Sequence, residues 1–544
     1  MRPKRKGLRL TKRGITTDRS VKNILFVMAD QLRADYLGCY GHRKLKTPHI
    51  DSLAARGVRF SRAYVQAPVC GPSRMSFYTG RYMSSHGSTY NGVPLRIGEM
   101  TMGDHLRPLG LRVALVGKTH MAADRVGMAR LGLESRSIEG VYASECGFEP
   151  YERDDGLWPE SIVPIDLRYN AYLRKHGYEA ENPWHDFANA AEGDKSEILS
   201  GWLLRHANLP ARVEEQHSET AYMTNRAMQF IAEADGQPWC LHLSYIKPHW
   251  PYIAPAPYHA LYGPEHVLPP NRDERERLHP HPVYEAFMRH EESISFSTPG
   301  VRERVIPAYM GLIKQIDDHL GRLWRFLEER ELMERTLIVF TSDHGDYLGD
   351  HWLGEKELFH EESVRVPLIL YDPDPRADRT RNTVDDRLVE AIDLAPTFVE
   401  AIGGIPPRHI LEGRSLLSAT RADGAAAQVP WRTAAISECD FTFRPARLDL
   451  DLPLDGARGF MLRTHRWKYV LFESFRPQLF DLQADPRELV DLGDEEDHAQ
   501  VRAELHEQMF AWMRGRKMRV TLPYERIEQA TGTHKKRGFS FGVW

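Results

Sequence analysis

Five short apolar segments alternate with helical patterns along this chain, and they restrict it to a small number of folds. Each segment has the composition of a strand that is buried on both faces. Between them, residues 302–330 repeat apolar side chains at helical spacing, and residues 49–57 predict a shorter helix. This alternation predicts an α/β fold in which helices sandwich a largely parallel central sheet. The apolar segments are residues 21–29, 111–116, 239–245, 336–340 and 366–370.

The chain is long enough for one large domain and a smaller one. It has 544 residues, of which 42% are hydrophobic. Two short strands around a turn at residues 465–466 and an amphipathic helix at 498–513 predict a small α+β subdomain near the C-terminus. The expected regions are a basic arm (1–20), a main α/β domain (21–417) with insertions at about 122–235 that cover the sheet edge and line part of a pocket, the C-terminal subdomain (418–515) and a tail (516–544).

Charge, hydropathy and cysteine content argue against several classes of protein. The net charge of −4 gives no general preference for polyanions, so we expect no nucleic-acid partner. No apolar run reaches the about 18 residues of a membrane helix. The basic arm has no apolar signal core, so we expect neither a membrane partner nor secretion. Five cysteines, an odd and small number, favour a reduced, cytoplasmic protein without a disulfide framework.

Both ends of the chain are candidates for contacts. The arm 1–20 fits either contact with nucleic acid or another acidic surface, or a solvated arm along a subunit, and we prefer the latter. Residues 534–544 carry Phe539, Phe541 and Trp544. Burial of such side chains is favourable by roughly 1.5–3 kcal/mol each, so we expect a docked tail. A homodimer or higher homo-oligomer with this tail near the interface is our prediction, and docking on its own C-terminal subdomain is the alternative.

Reactive side chains follow four of the five predicted strands. In open α/β sheets, sites form outside the carboxyl ends of the strands. Because these strands are expected to share one sheet, their ends predict a common active site. The residues are Asp30 and Gln31 after the first strand, Lys118 and His120 after the second, His249 after the third, and Asp343 and His344 after the fourth.

Part of this set has the chemistry of a metal site. The carboxylates of Asp30 and Asp343 and the amide oxygen of Gln31 suit Ca²⁺, Mg²⁺ or Mn²⁺. The imidazole of His344 shifts the preference toward Mn²⁺. Taken alone, Asp343 and His344 would fit a polar loop after a strand equally well.

Cys70 opens the most specific motif of the chain. By itself it is either a small buried apolar side chain or a nucleophilic thiolate beside Arg74, before a helix expected at 73–79. The sequence Cys-Gly-Pro-Ser-Arg of residues 70–74, with Thr-Gly-Arg at 79–81, resembles the signature of type I sulfatases of the alkaline-phosphatase superfamily. The resemblance runs from about residue 21 to 515, through similar motifs at residues 23–35, 117–120, 247–251, 342–367 and 479–492.

This resemblance implies an alkaline-phosphatase-like fold and the hydrolysis of small-molecule sulfate monoesters, as in arylsulfatases. In that family a separate maturation enzyme oxidises the signature cysteine, here Cys70, to formylglycine. Its hydrate, a geminal diol, attacks sulfur and forms a covalent sulfated intermediate. One divalent ion, Mn²⁺ or Ca²⁺, is implied at Asp30, Gln31, Asp343, His344 and the residue at position 70.

The resemblance also implies a role for each of the remaining site residues. Without it, Lys356 would belong to a charged surface turn and His120 would be an ordinary loop histidine. Asn91 stays open between a ligand of the leaving-group or sulfate oxygen and a turn residue before Gly92. By resemblance, Arg74 orients residue 70, Lys118 and Lys356 hold the sulfate oxygens, His249 protonates the leaving alcohol, and His120 helps to release sulfate by deprotonating the second hydroxyl.

Two residue pairs position the chain within that family. Asp30-Gln31 and Asp343-His344 resemble the branch of phosphonate monoester hydrolases, phosphodiesterases and choline sulfatase-like enzymes. The phosphonate hydrolases tend to lose the lysine and histidine that are present here as Lys118 and His120. We therefore favour a sulfatase, with a phosphonate monoester or phosphodiester hydrolase as the alternative. A non-catalytic metal-binding or scaffolding protein is the third class, which the full set of site residues disfavours.

Overall fold

The computed structural model describes residues 20–156, 167–421 and 430–533. The basic arm, apart from Ser20, and the aromatic tail 534–544 lie outside these residues. Within the described part of the chain, no helix has both the length and the apolar character needed to cross a membrane.

An eight-stranded sheet forms the centre of the molecule. Its strands are β1 (Asn23–Asp30), β2 (Val58–Tyr64), β3 (Arg112–Gly117), β4 (Glu149–Arg153), β5 (Trp239–Pro248), β6 (Thr336–Ser342), β7 (Arg365–Tyr371) and β8 (Thr383–Glu390). They are ordered β8-β2-β7-β6-β1-β5-β3-β4. Only the pairings of β7 are antiparallel, so the prediction of a largely parallel sheet is confirmed.

The four strands that precede the reactive residues lie side by side as β6, β1, β5 and β3. The sequences of these strands are continuous apolar runs because both faces of each strand are buried in the core. In β1, Leu25 and Val27 face one core and Phe26 and Met28 face the other. The sequence pattern missed β2, β4 and β8 because charged residues interrupt their apolar residues where these strands are partly exposed.

Helices cover both faces of the sheet. The principal ones are α1 (Pro48–Arg56), α2 (Cys70–Thr79), α3 (Glu219–Glu233), α4 (Glu291–Ser297), α5 (Val301–Glu329), α6 (Leu394–Ala401) and α7 (Ala499–Arg514). Apolar residues of α1, α3 and α5 share one core, and those of α2 and α6 share the other. Shorter helices are Met83–His86, Met102–Leu106, Arg125–Arg130, Ile138–Ser144, Arg168–Lys175, Pro282–Met288, Glu361–Val364, Leu417–Thr420, Pro445–Asp449 and Tyr524–Ala530.

The segment 122–235, expected as insertions, supplies both β4 at the sheet edge and α3 on one face. It also contains a small hairpin of Ala190–Glu192 and Ile198–Ser200. A parallel pair of Pro210–Ala211 and Ala254–Pro255 joins this segment to the chain that follows β5.

The C-terminal region is a four-stranded antiparallel sheet with α7 packed on it. Its strands are β9 (Ala435–Asp440), β10 (Arg458–Arg463), β11 (Trp467–Phe472) and β12 (Gln478–Asp481). The predicted turn at 465–466 joins β10 and β11. Several hydrogen bonds join this sheet to the main domain: for example, Glu438 N donates to Gln66 O at 2.9 Å, and Lys468 Nζ donates to Phe359 O at 2.8 Å.

The double-sided burial of β1 makes a first prediction. The ring of Phe26 packs 5.5 Å from that of Phe398 and 4.4 Å from that of His242, centroid to centroid. Phe26→Ala should lower the free energy of unfolding by about 3–5 kcal/mol, because it leaves a cavity in the core. Denaturant unfolding would measure this. Phe510→Ala is the control, since Phe510 is 47% exposed and should change stability by less than about 1 kcal/mol; equal effects would contradict the two-sided core.

Candidate active site

The carboxyl ends of four adjacent strands meet in one buried cluster. Asp30 ends β1, Lys118 follows β3, His249 follows β5 and Asp343 follows β6. Each of these residues is at least nine-tenths buried. The parallel strands therefore deliver two carboxylates, a lysine and a histidine to one point at the edge of the sheet.

The side chain of Arg74 connects the groups of this cluster. Its side chain is 0% exposed, and its guanidinium reaches both carboxylates: Nε lies 2.7 Å from Asp343 Oδ2 and Nη2 lies 3.1 Å from Asp30 Oδ2. The remaining nitrogen, Nη1, donates to the backbone oxygen of Lys118 at 2.8 Å and to Ser244 Oγ at 2.7 Å. One side chain thus fixes the ends of all four strands. These contacts hold the frame around residue 70, and the predicted role of Arg74 in orienting that residue stays a prediction.

Cys70 is the first residue of α2, which begins three residues before the predicted start at residue 73. Its Sγ lies 3.0 Å from His344 Nε2 and 3.8 Å from Asp30 Oδ1. Burial alone would raise the pKa of the thiol, but the ammonium groups of Lys356 and Lys118 hold it well below its ordinary value. The site therefore favours a negatively charged atom at position 70.

Asn91 lies beside the start of the same helix. Its Oδ1 accepts a hydrogen bond from the backbone N of Gly71 at 2.8 Å. This bond satisfies one of the free N–H groups in the first turn of α2. The Asn91 oxygen therefore helps to position residue 70, and its predicted contact with substrate stays a prediction.

Four side chains form a group that fits a divalent metal ion. One ligand atom from each of Asp30, Cys70, Asp343 and His344 lies within 4.8 Å of all the others. His344 Nδ1 donates to Gly345 O at 2.8 Å, so Nε2 is the ring nitrogen that faces the carboxylates. Burial lowers the pKa of His344, but Asp343 and Cys70 outweigh it and raise that pKa to about 9. Such strong local negative potential is what a divalent cation would satisfy.

Gln31 has partners other than this group. Its backbone is left-handed, with φ of 64°. Its Oε1 accepts from Lys356 Nζ at 2.9 Å, and its Nε2 donates to Asp346 Oδ2 at 2.5 Å and Tyr252 Oη at 3.1 Å. The amide thus holds Lys356 in place, and its predicted role as a metal ligand stays a prediction.

Two lysines bring positive charge to the cluster. Lys118 Nζ lies 2.6 Å from Asp30 Oδ2, and Lys356 Nζ lies 3.0 Å from His249 Nε2. The side chain of Lys356 is buried, so it does not belong to an exposed surface turn. Its neighbours Glu355 and Glu357 have φ of 58° and 92°, a costly conformation for residues with a Cβ.

The two histidines differ in their surroundings. His249 Nδ1 donates to Trp250 O at 2.7 Å, so its Nε2 accepts from Lys356 and the ring is neutral. Burial, followed by the charge of Lys356, lowers the pKa of His249 to about 3. His120 has a left-handed backbone with φ of 55°, and its N donates to Asp155 Oδ1 at 3.0 Å.

Sequence reasoning missed four residues that hold the predicted site residues in place through hydrogen bonds. Ser244 accepts from Arg74, Asp346 and Tyr252 accept from Gln31, and Asp155 accepts from the backbone N of His120. Asp346 lies in the recognised loop 342–367, so proximity to Asp343 was an available signal. Asp155 follows the unpredicted edge strand β4, and nothing in its local sequence marks it.

Comparison with known families gives two matches. The model described as Sulfatase matches residues 22–405. The model described as N-sulphoglucosamine sulphohydrolase, C-terminal, matches residues 349–514, which include the four-stranded C-terminal sheet.

Individual relatives extend over nearly the whole chain. The multifunctional alkaline phosphatase superfamily protein PehA of Trinickia caryophylli is 31% identical, over 94% of this chain and 99% of its own. The arylsulfatase of Clostridium perfringens (strain 13 / Type A) is 26% identical, over 88% and 91% of the two chains. Among solved structures, the phosphonate monoester hydrolase SpPMH from Silicibacter pomeroyi superposes with a TM-score of 0.78 at 27% identity, covering 92% of this chain and 97% of that one.

The buried ligand group makes a second prediction. Protein stripped of metal and then equilibrated with Mn²⁺ or Ca²⁺ should retain about one ion per chain. Asp343→Asn should retain far less, because it replaces a charged ligand by a neutral one and leaves Arg74 with one carboxylate. Elemental analysis after gel filtration measures the bound ion. Asp386→Asn, at a carboxylate that is 77% exposed, is the control and should bind as the wild type does; equal retention by both variants would exclude Asp343 as a ligand.

Proposed function

The chain belongs to the sulfatase family of the alkaline-phosphatase superfamily, and from that premise we propose that it hydrolyses sulfate monoesters. The observation that carries the proposal is the position of Cys70, at the start of α2 and within 3.0 Å of His344 in the group that fits a metal ion. Lys118 and Lys356 add the positive charge that a transferring sulfuryl group requires.

Two groups beyond the encoded side chains belong to this proposal. Cys70 would be oxidised to formylglycine by a separate maturation enzyme, and the hydrate would supply an oxygen nucleophile for attack on sulfur. A Mn²⁺ or Ca²⁺ ion held by Asp30, Asp343 and His344 would supply a Lewis acid that lowers the pKa of that nucleophile. The burial of these three side chains and the orientation of the His344 ring, with Nε2 toward the carboxylates, support an ion at this place.

The chain's own cations would bind the substrate. Lys118 and Lys356 approach the cluster from the loops that follow β3 and β6 and are 3% and 5% exposed, so few water molecules weaken their charge. We propose that they hold the non-bridging oxygens of the sulfate. Arg74 would act without touching substrate, because all its nitrogens contact protein atoms.

Proton transfer would involve the two histidines. His249 Nε2 already accepts from Lys356, so the pair can relay a proton toward the leaving alcohol. A bound sulfate adds negative charge beside His249, which raises the pKa of that imidazole and favours the form that donates. His120 would serve as the base in sulfate release. Its Nδ1 is buried and has no hydrogen-bond partner in the described part of the chain, which supports a functional role.

A second candidate is phosphonate monoester hydrolysis at the same site. The observation in its favour is the superposition with the Silicibacter pomeroyi phosphonate monoester hydrolase over almost the whole chain. The two reactions need the same charge distribution, so one could accompany the other.

Cellular location and assembly are further proposals. The few cysteines, all unpaired thiols here, support a cytoplasmic protein. A homo-oligomer, most simply a dimer, is proposed from the aromatic tail 534–544, which lies outside the described residues.

The proposed nucleophile makes a third prediction. Peptide mass spectrometry of active protein should find formylglycine at position 70, and Cys70→Ala should lower kcat by several orders of magnitude, because the covalent step is lost. Cys39→Ala, at a half-buried thiol in another part of the chain, is the control and should keep its rate. Full activity from protein that contains only unmodified Cys70 would refute the mechanism.

The two candidate reactions lead to a fourth prediction. We expect kcat/KM for p-nitrophenyl sulfate to exceed that for a p-nitrophenyl phosphonate monoester and a bis(p-nitrophenyl) phosphate diester by at least about tenfold. The reason is that Lys118 and His120, which the proposed sulfatase reaction uses, are both in place. Initial rates on one preparation with one metal content measure the ranking. The reverse order would make the chain a phosphonate or phosphodiester hydrolase.

A further inference from the structure

A cavity of about 300 Å³ adjoins the candidate active site. The ring of Trp250, in its wall, lies 4.2 Å from that of His249, centroid to centroid, and 5.7 Å from Lys356 Nζ. Tyr252, also in the wall, accepts the hydrogen bond of Gln31. The cavity therefore shares a wall with the groups proposed to hold sulfate and to protonate the leaving group.

Aromatic side chains form much of the cavity wall. The rings of Trp202 and Trp250 lie 4.9 Å apart at an interplanar angle of 62°. On another side, Tyr252 and Phe296 pack edge to face, with centroids 6.2 Å apart. Such walls fit a flat apolar group and provide π faces for a cation.

The charges in the wall are all negative. Three glutamates, Glu291, Glu292 and Glu355, line the cavity, and no lysine or arginine is among the described lining residues. Glu292 is neutralised by an ion pair with Arg444. The carboxylate of Glu355 has no ion pair or hydrogen bond with any described residue. Burial raises the pKa of Glu355 to about 7, although the charge of Lys356 opposes this.

We propose that this cavity binds the leaving group of the substrate, and that this leaving group is flat, apolar and carries an ammonium. The link to hydrolysis rests on the proposed function. The substrate is then a zwitterion, whose sulfate lies at Lys118 and Lys356 and whose ammonium lies among the aromatic rings at Glu355. An anionic leaving group, such as a sulfated or uronate-rich polysaccharide, would face the carboxylates of Glu291 and Glu355 and is selected against.

Binding of two matched phenols tests the cavity without catalysis. Tyramine carries an ammonium where tyrosol carries a hydroxyl, and the two are otherwise matched in size and shape. Calorimetry on the full-length protein should find tyramine bound at least about tenfold more tightly than tyrosol, from cation–π and carboxylate contacts together. Equal affinity, or no binding of either, would overturn the proposal.

A variant and its control test whether Glu355 is the residue that recognises the ammonium. Glu355→Gln should reduce the preference for tyramine over tyrosol to less than about threefold. Glu528→Gln, an exposed glutamate of the C-terminal helix, should keep the wild-type preference. Thermal unfolding of each variant shows whether it is folded. If Glu355→Gln does not fold, the wild-type comparison of the two phenols still decides the proposal.

Kinetics connects the cavity to the reaction. Tyramine sulfate should have a kcat/KM at least about tenfold above that of tyrosol sulfate, and free tyramine should inhibit competitively. Turnover of both esters and of p-nitrophenyl sulfate without preference would overturn the inference and leave the sulfatase proposal intact. No turnover of any sulfate ester, with tyramine still bound selectively, would refute the proposed function and confirm a cation site.

Discussion

The buried guanidinium of Arg74 is the interaction on which the rest of this site depends. It joins Asp30 at the end of β1 and Asp343 after β6, and it also binds the Lys118 backbone and Ser244 of β5. Two buried carboxylates next to each other would repel, and loss of one partner from such a cluster costs about 3–5 kcal/mol. With Arg74 present, the carboxylates share a fixed geometry, and the sheet and the α2 helix become one rigid support for residue 70.

The sequence predicted the strands that are buried on both faces, because a continuous apolar run is required there. It also predicted which residues follow them, since the C-terminal edge of a parallel sheet collects side chains from distant parts of the chain. It could not predict β2 and β8, whose partly exposed positions carry charged residues. The amide of Gln31 illustrates a second limit: spacing identifies a candidate ligand, but only the packing of Tyr252 and Asp346 determines where its oxygen points.

Charge is arranged in two adjoining zones. At the strand ends, Lys118, Lys356 and Arg74 lie beside Asp30 and Asp343, so an anion can approach a cluster that also attracts a metal ion. On the other side of Trp250, the charged residues described in the lining of the neighbouring cavity are all glutamates. Glu355 and Lys356 are consecutive in the chain, and Glu355 and Glu357 have positive φ angles. The side chain of Glu355 lines the cavity, whereas that of Lys356 contacts Gln31 at the strand ends. A single loop therefore sets the polarity of the whole pocket.

The burial of Cys70 has a consequence for the order of events during synthesis. In the folded chain its side chain is 1% exposed, beneath loops that follow β1, β3, β5 and β6, so a second protein could not reach it there. If residue 70 is oxidised as proposed, the maturation enzyme must act before β6 pairs with β1. The 269 residues from Met75 to Asp343 take roughly 13–54 s to translate at ~5–20 residues per second. A nascent chain would thus have at least this period for modification, and closure of the sheet would then enclose the thiol.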